Sequence, residues 1–172
     1  SAAWMDHTAP VLAYRLQEPE QAGRLDADRA RALGVPEGPD LGRLKRGETV
    51  VTPAGRSVAP EEVVGTAAPG RSLVFSSDTR PNPALTALAA GTDLLVHDAT
   101  FTAEHAERAA ETGHSTAAEA ATTAREAAVG ALYLWHFSQR YRDATDHLAQ
   151  ARAVFPQAEA SADGLGVAVR AY

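Results

Sequence analysis

Three short apolar runs, separated by stretches of helical character, constrain the fold of this sequence more than any other feature. The runs are Ser72–Ser76, Asp93–His97 and Ala131–Trp135. Each has the length of a strand rather than a helix, and its continuous apolar character is typical of a strand buried on both faces. Alternation of such strands with helices predicts an α/β fold, in which helices cover a sheet.

The stretches between the runs carry helix signals. Asn82 is a good N-cap, and Pro83 follows it at the first helical position. Thr116 and Glu119 have the spacing of a capping box, which opens another helix. The predicted helices are 83–91, 103–112, 117 onward and 145–154, and an alternating pattern predicts a last strand over 166–171.

The first seventy residues have a different character. A strand is predicted over 11–16, a weak helix over 24–33 with Asp26 as its cap, and a hairpin around Pro53-Ala54-Gly55. Residues 34–42 are dense in glycine and proline, and irregular structure is predicted there. We therefore divide the chain into a first core segment (1–18), a loose arm (19–70) and a main part (71–172).

Composition excludes several classes of protein. Apolar residues make up 45% of the 172 residues, which is too much for a disordered chain. No apolar stretch approaches the ~18 residues that span a bilayer, and residues 1–10 lack the pattern of a signal peptide. A cytoplasmic location is therefore expected. The absence of cysteine excludes disulfides and thiolate zinc sites, and the net charge of −6 leaves RNA binding only to a local basic patch.

Polar residues follow each of the three buried strands. Asp78 follows the first, His97-Asp98 ends the second and His136 follows the third. Ligand sites of α/β sheets collect beyond the carboxyl ends of strands, and nitrogen and oxygen ligands suit zinc or a similar divalent ion. His114 precedes the capping box, where a helix N-terminus favours a phosphate.

Each of these residues also has a structural interpretation. A lone Asp after a strand is more often a turn residue than a ligand, and the same is true of a lone His such as His136. His97 follows an apolar run and is interpreted as a core histidine. His105 and His147 lie in amphipathic helices and are predicted to be solvated. The functional interpretation depends on the co-occurrence of such residues at successive strand ends.

Several motifs resemble those of the ribonuclease Z family of tRNA 3′-processing endonucleases. Residues 76–81 resemble its Ser-Gly-Asp-Thr-Arg-Pro motif and residues 97–101 its His-Glu-Ala-Thr-Phe motif, whereas 113–116 and 136–141 match without change. His7 with Tyr14-Arg15 resembles an earlier motif, and Gly38-Pro39 resembles the family's Gly-Pro arm. The resemblance implies a metallo-β-lactamase-like αββα sandwich, of which this chain would be the C-terminal half plus an extended arm.

The resemblance also implies roles for single residues. His7, Asp78 and His136 would be metal ligands, with Asp78 bridging two zinc ions or another pair of divalent metals. Asp98 would orient His114, and this pair would protonate the leaving 3′-oxygen or stabilise charge on the scissile phosphate.

The arm would contact precursor tRNA. Arg43, Lys45 and Arg46 form a small basic patch, with no acidic residue between Leu41 and Gly47. Such a patch fits phosphate-backbone contact, although an ordinary solvated loop has the same composition. Arg80 and Arg140, beside the predicted site, would also hold RNA, and Arg140 could equally be a surface ion-pair residue. The family's enzymes are usually homodimers.

The sequence departs from the family in one large respect and two small ones. The His-x-His-x-Asp-His motif, which supplies most zinc ligands, is absent, so the chain would be a fragment, one part of a split protein, or a short relative without catalysis. Ser77 replaces a glycine, and Asp98 replaces a glutamate. Two alternative functions stay open: another hydrolase of this fold, such as a phosphodiesterase or arylsulfatase relative, and a non-catalytic RNA-binding or dimerisation module.

Overall fold

The computed structural model describes residues 1–170. The chain forms two compact units. The larger one contains residues 1–18 and 71–170, and the smaller one is Pro19–Gly70.

The larger unit is built on a six-stranded sheet. The strands are β1 (Ala2–Trp4), β2 (Leu12–Gln17), β5 (Ser72–Phe75), β6 (Leu94–Asp98), β7 (Ala131–Trp135) and β8 (Ala158–Ala160). Their order in the sheet is β1-β2-β5-β6-β7-β8. Strand β2 is antiparallel to both β1 and β5, and β5 to β8 run parallel to one another. The helices are α3 (Pro83–Ala89), α4 (Ala106–Thr112), α5 (Ala117–Glu126) and α6 (Thr145–Val154), with a 3₁₀ turn at Ala103–His105.

Helices α3, α5 and α6 cover one face of this sheet. Val74, Leu95 and Leu132 are in register on neighbouring strands, and all three are fully buried against the helices. Helix α5 presents a stripe of buried small residues, which allows close packing on the sheet. The stripe consists of Ala117, Ala120, Ala121 and Ala124.

The opposite face of the sheet carries large exposed apolar side chains. Trp4, Tyr14 and Leu16 are 66%, 50% and 64% exposed. They alternate along their strands with residues such as Ala13, which faces the helices and is fully buried. Of the three runs predicted to be buried on both faces, β6 is almost fully buried, whereas β5 and β7 alternate between buried and half-buried residues.

The smaller unit has its own hydrophobic core. Its elements are α1 (Ala27–Ala32), α2 (Pro39–Lys45), β3 (Val50–Val51), β4 (Ser57–Val58) and a 3₁₀ turn at Pro60–Glu62. The prediction of an irregular stretch over 34–42 is confirmed for residues 34–38 and was wrong from Pro39, where α2 begins. The arm is also less loose than predicted, since Leu44, Val50, Val58 and Val63 are buried together. These residues come from separate short elements, so no single window of sequence shows apolar periodicity.

The local signals at helix and hairpin ends are confirmed. Asp26 accepts a hydrogen bond from the backbone of Arg29, and Asn82 accepts one from the backbone of Ala84. Thr116 and Glu119 form the predicted capping box. The predicted hairpin pairs Val50–Val51 with Ser57–Val58.

The predicted last strand was wrong. Residues 166–170 contain no strand, and residue 171 lies outside the described residues. The last strand is instead β8, which pairs with Leu132–Leu134 of β7. Three residues are too few to produce a periodic pattern, and this strand depends on the exposed edge that β7 offers.

Among residues 1–170, no helix combines the length and the apolar character that crossing a lipid bilayer requires.

Candidate functional site

Asp98 is the buried centre of a hydrogen-bond network at the carboxyl end of β6. It is fully buried, and its Oδ2 accepts hydrogen bonds from Nδ1 of His114 at 2.8 Å and from the backbone N of Thr79 at 3.1 Å. Its Oδ1 accepts from the backbone N and the hydroxyl of Thr100, at 2.9 and 2.6 Å. Burial alone would raise the pKa of Asp98, but interactions with His136, Thr100 and His114 hold it below its usual value. Asp98 is therefore a carboxylate at neutral pH.

The carboxylate fixes the tautomer of His114. Because an ionised Asp98 only accepts hydrogen bonds, Nδ1 of His114 carries the proton. Nε2 of His114 is then the ring nitrogen that can take up or release a proton. The pairing of Asp98 with His114 that the resemblance implies is thus present as a contact, although Asp is one methylene shorter than the family's Glu.

His136 joins the same network from the end of β7. Its Nδ1 lies 2.9 Å from Oγ1 of Thr100, which itself donates to Asp98. The single hydroxyl proton of Thr100 is used in that bond, so Nδ1 of His136 is the donor. Asp98 raises the pKa of His136, and the charge of Asp78 adds to this effect. The residue has a φ of 64°, a left-handed conformation that non-glycine residues hold at a cost, commonly at functional sites.

Asp78 contributes a buried carboxylate oxygen to this cluster. Its Oδ1 is buried and accepts no hydrogen bond from the described residues, while Nδ1 of His136 is 3.3 Å away. Four residues, Asp78, Asp98, His114 and His136, each offer one potential metal-ligand atom, and these atoms all lie within 4.8 Å of one another. A buried carboxylate oxygen without a donor is costly unless a cation compensates it. Its imidazole and carboxylate neighbours are ligands that zinc accepts, so these residues fit a divalent metal.

His7 lies beside this cluster, in the turn between β1 and β2. Its Nδ1 donates a hydrogen bond to the carbonyl of Gly113 at 2.7 Å, which leaves the lone pair on Nε2. Metal-binding histidines are commonly oriented by such a bond. The ring centroids of His7 and His114 are 5.0 Å apart. His7 is not among the four residues whose donor atoms converge, so the structure places it next to the cluster.

The two arginines predicted to hold RNA near the site contact the protein itself. Nε of Arg80 donates to the carbonyl of Ala110 at 2.6 Å, and Nη1 donates to Oδ1 of Asp6 at 2.9 Å. The guanidinium of Arg140 lies over the ring of Phe101, with its central carbon 5.1 Å from the centroid.

The basic patch of the smaller unit is partly neutralised. Arg43 pairs with Asp40 and Glu48 at 3.2 and 3.0 Å, and Arg46 pairs with Glu48 at 3.2 Å. The predicted window of 41–47 ended just short of both acidic residues. Three basic side chains, including Lys45, are therefore accompanied by two carboxylates, and the patch is less basic than the sequence analysis implied.

The prediction that His147 is solvated was wrong. The side chain is fully buried, with its ring 4.4 Å from that of Tyr141 and 5.0 Å from that of Phe137. Burial lowers the pKa of His147. Both aromatic residues belong to the motif that begins with His136, so this histidine supports the loop that carries a site residue. No signal in the sequence indicated this burial, because a histidine in a helix is assigned to solvent unless its partners are known.

The other two histidines, His105 and His97, are also shielded from solvent in part or in full. His105 is half-buried, and its ring lies 6.3 Å from that of Phe101. His97 is fully buried, as the core interpretation predicted, and its Nδ1 donates to the carbonyl of Asp98 at 2.8 Å. Burial lowers the pKa of His97.

Comparison with known sequences identifies relatives. The ribonuclease Z of Myxococcus xanthus is 49% identical over 168 residues, which cover 96% of this chain and 55% of that protein. The ribonuclease Z of Salinibacter ruber is 52% identical over 149 residues, which cover 87% of this chain and 46% of that protein. The chain thus spans about half the length of these curated relatives. They confirm the predicted resemblance to ribonuclease Z.

Solved structures show the same fold. The metallo-β-lactamase fold protein YhfI from Bacillus subtilis has a TM-score of 0.57 at 15% identity, over 93% of this chain and 44% of that one. The short form of human tRNase Z has a TM-score of 0.55 at 19% identity, over 98% of this chain and 42% of that one. These likenesses confirm the predicted metallo-β-lactamase-like fold, of which the chain forms a part. The family described as the beta-lactamase superfamily domain matches residues 41–137, and the chain belongs to this superfamily.

Proposed function

We propose that this chain is the C-terminal portion of a ribonuclease Z-type endoribonuclease that removes the 3′ trailer from precursor tRNA. The observation that carries the proposal is the 49% identity to a curated ribonuclease Z over nearly the whole chain. The convergence of Asp78, Asp98, His114 and His136 also supports the proposal, because these four side chains lie together and are of types that take part in catalysis.

In this proposal His7, Asp78 and His136 hold metal. Asp78 would bind metal through its carboxylate, one oxygen of which is buried and accepts no hydrogen bond from the described residues. A pair of zinc or other divalent ions held there would supply an activated water and would offset the negative charge of the phosphoryl oxygens.

Asp98 and His114 together deliver the proton that the leaving 3′-oxygen takes up. The buried carboxylate of Asp98 keeps Nδ1 of His114 protonated and stabilises the imidazolium that forms when Nε2 also takes up a proton. His114 then gives the Nε2 proton to the leaving 3′-oxygen and returns to its neutral form. This step leaves a 3′-hydroxyl on the tRNA.

Three protein ligands are too few to hold two ions, so we propose that another portion of the protein supplies the His-x-His-x-Asp-His ligands. The apolar sheet face with Trp4 and Leu16 would lie against that portion. A homodimer in the cytoplasm, where precursor tRNA is processed, completes the proposal.

Arg43, Lys45, Arg46 and Arg140 would contact the tRNA. Exposed ion pairs such as Arg43–Glu48 contribute little to stability, so phosphate could replace the carboxylate.

Reconstitution tests this function. Metal content and cleavage of a precursor tRNA are measured for the chain alone and for the chain mixed with the N-terminal half of the Myxococcus xanthus relative. We expect about two zinc ions per complex, cleavage at the 3′ side of the tRNA, and loss of cleavage in the matched complex with His114→Ala. A complex that assembles and binds metal but cuts only small phosphodiesters would favour a different hydrolase. A complex without metal or cleavage would overturn the proposal.

A further inference from the structure

Arg80 makes contacts that an RNA-binding arginine does not need. Its side chain is only 28% exposed, although it lies two residues from Asp78 at the edge of the site. Nη1 donates to Oδ1 of Asp6 at 2.9 Å, and the backbone N of Arg80 donates to the carbonyl of Asp6 at 2.8 Å. Nε donates to the carbonyl of Ala110 in α4 at 2.6 Å. One residue thus ties the segment before His7 to helix α4.

The segment that Arg80 holds begins at the buried Met5, whose backbone N donates to the carbonyl of Val11 at 2.9 Å. Residues 5–10, between β1 and β2, contain no helix or strand, so the position of His7 depends on a few specific contacts. One is the bond from the backbone N of Asp6 to Oγ1 of Thr79, at 3.3 Å. Another is the bond from His7 to the carbonyl of Gly113, the C-cap of α4. Arg80 reaches α4 one turn before the same cap.

The bond from Arg80 to Ala110 and the bond from His7 to Gly113 both attach to the C-terminal end of α4. If Arg80 releases Ala110 and Asp6, then the spacing between α4 and the turn at His7 is no longer fixed. The bond from Nδ1 of His7 to Gly113 sets both the tautomer and the orientation of that ring. The contacts of Arg80 therefore reach the ring of His7 through two backbone carbonyls and a carboxylate.

We propose that Arg80 is a positioning residue for His7, and not an RNA contact as its place beside the site first indicated. The proposal rests on the proposed function only in its view of His7 as a metal ligand. Two hydrogen bonds within the protein already use Nε and Nη1 of the guanidinium, and the one to Asp6 is also an ion pair that offsets its charge. A phosphate would have to displace these partners.

The two interpretations make opposite predictions for Asp6. If Arg80 positions His7, Asp6→Asn and Arg80→Gln act in the same direction, and the double variant is no worse than the more severe single variant. If Arg80 binds RNA, Asp6→Asn frees the guanidinium and leaves RNA affinity unchanged or tighter, whereas Arg80→Gln weakens it. Arg108→Gln is the matched control, because it removes an exposed arginine of α4 that pairs with Glu111.

The first measurement needs neither metal nor RNA. Two-bond ¹H–¹⁵N correlation spectra of the imidazole rings report the tautomer of His7 in the apo chain. We expect a single Nδ1–H form in the wild type and in Arg108→Gln, and a mixture of tautomers in Arg80→Gln and Asp6→Asn. Arg80→Lys, which keeps the charge, should restore part of the single form. A His7 that stays Nδ1–H in every variant would overturn the positioning role, whatever the protein cleaves.

The second measurement uses the reconstituted complex. Zinc affinity should fall about tenfold in Arg80→Gln and Asp6→Asn, the usual effect of losing a partner of a metal ligand. Affinity for precursor tRNA and its dependence on salt should stay within twofold of the wild type. A salt slope reduced by about one phosphate contact in Arg80→Gln alone, with unchanged zinc affinity, would assign Arg80 to RNA instead. If the wild-type complex binds no zinc, the proposed function fails, and the tautomer measurement still decides the role of Arg80.

Discussion

Nδ1 of His114 lies 2.8 Å from Oδ2 of Asp98, whose carboxyl group is fully buried and also accepts hydrogen bonds from Thr79 and Thr100. Hydrogen bonds from these three residues hold the carboxylate in place, and the imidazole of His114 has one defined tautomer. A group with a fixed proton on one nitrogen and a lone pair on the other is suited to move a proton at the site.

Asp98→Asn should separate this role from simple folding. The amide of Asn keeps the shape of the carboxylate but can present an N–H to His114, which favours the opposite tautomer. We expect cleavage by the reconstituted complex to fall by about 100-fold or more in kcat, with tRNA affinity little changed. The control is Glu111→Gln, which removes a charge from the exposed side of α4. An Asn variant as fast as the wild type would contradict the role of this pair.

Gly113→Ala should disturb both stability and His7. Gly113 has a φ of 83°, and a Cβ there would lie 2.6 Å from Nδ1 of His7 and 3.0 Å from the backbone N of Thr8. The left-handed conformation alone costs about 1–2 kcal/mol for alanine, and the contact adds to this cost. The control is Gly91→Ala, because Gly91 has a φ of 60° and a Cβ added there would have no atom of the described residues within 4 Å. Urea unfolding should show a larger loss for Gly113→Ala, and equal losses would contradict the close approach of His7.

The buried His147 should make stability depend on pH. Because burial lowers its pKa in the folded protein, the unfolded chain binds a proton below about pH 6.5 that the folded chain does not. Stability should therefore fall as the pH is lowered from 6.5 towards 5, by up to about 1.4 kcal/mol per pH unit for this group. His97 acts in the same direction, whereas the raised pKa of His136 acts above pH 6.5, where its stabilising effect is lost as the pH rises.

Replacement of His147 isolates its share. In His147→Leu the free energy of unfolding should depend less steeply on pH between 6.5 and 5, as measured by urea denaturation in the presence of a chelator. The contributions of His97 and His136 cancel in the comparison with the wild type. His105→Leu, a change at a half-buried histidine whose ring lies 6.2 Å from that of Tyr141, is the control. Identical pH profiles for wild type and His147→Leu would mean that His147 titrates alike in both states.

The sequence predicted those parts of the fold that local signals determine. Helix α3 has Asn82 as its cap and α5 has its capping box, and the buried strands β5 to β7 are continuous apolar runs. The parts that were mispredicted depend on tertiary partners. Strand β8 exists because β7 offers an edge, and α2 is stabilised by Leu44 in the core of the smaller unit.

The same distinction applies to the site. Strand ends placed Asp78, Asp98 and His136 near one another, because parallel strands end at the same edge of a sheet. The contact between Asp98 and His114, sixteen residues apart, followed only from the family resemblance. The burial of His147 and the internal contacts of Arg80 had no signal in the sequence, because a polar residue is assigned to solvent unless its partner is known.

Glu48→Gln provides a test of RNA contact by the smaller unit. Glu48 pairs with both Arg43 and Arg46, so that its replacement removes a competing carboxylate from both guanidinium groups and leaves Arg43 paired with Asp40. If this patch contacts tRNA, Glu48→Gln should tighten binding several-fold at low salt and steepen its dependence on salt. Glu61→Gln, which makes the same change of net charge in the same unit, is the control. Affinity is measured by titrating labelled precursor tRNA at several salt concentrations. If the two variants have the same small effect, then only net charge matters and the patch has no specific role.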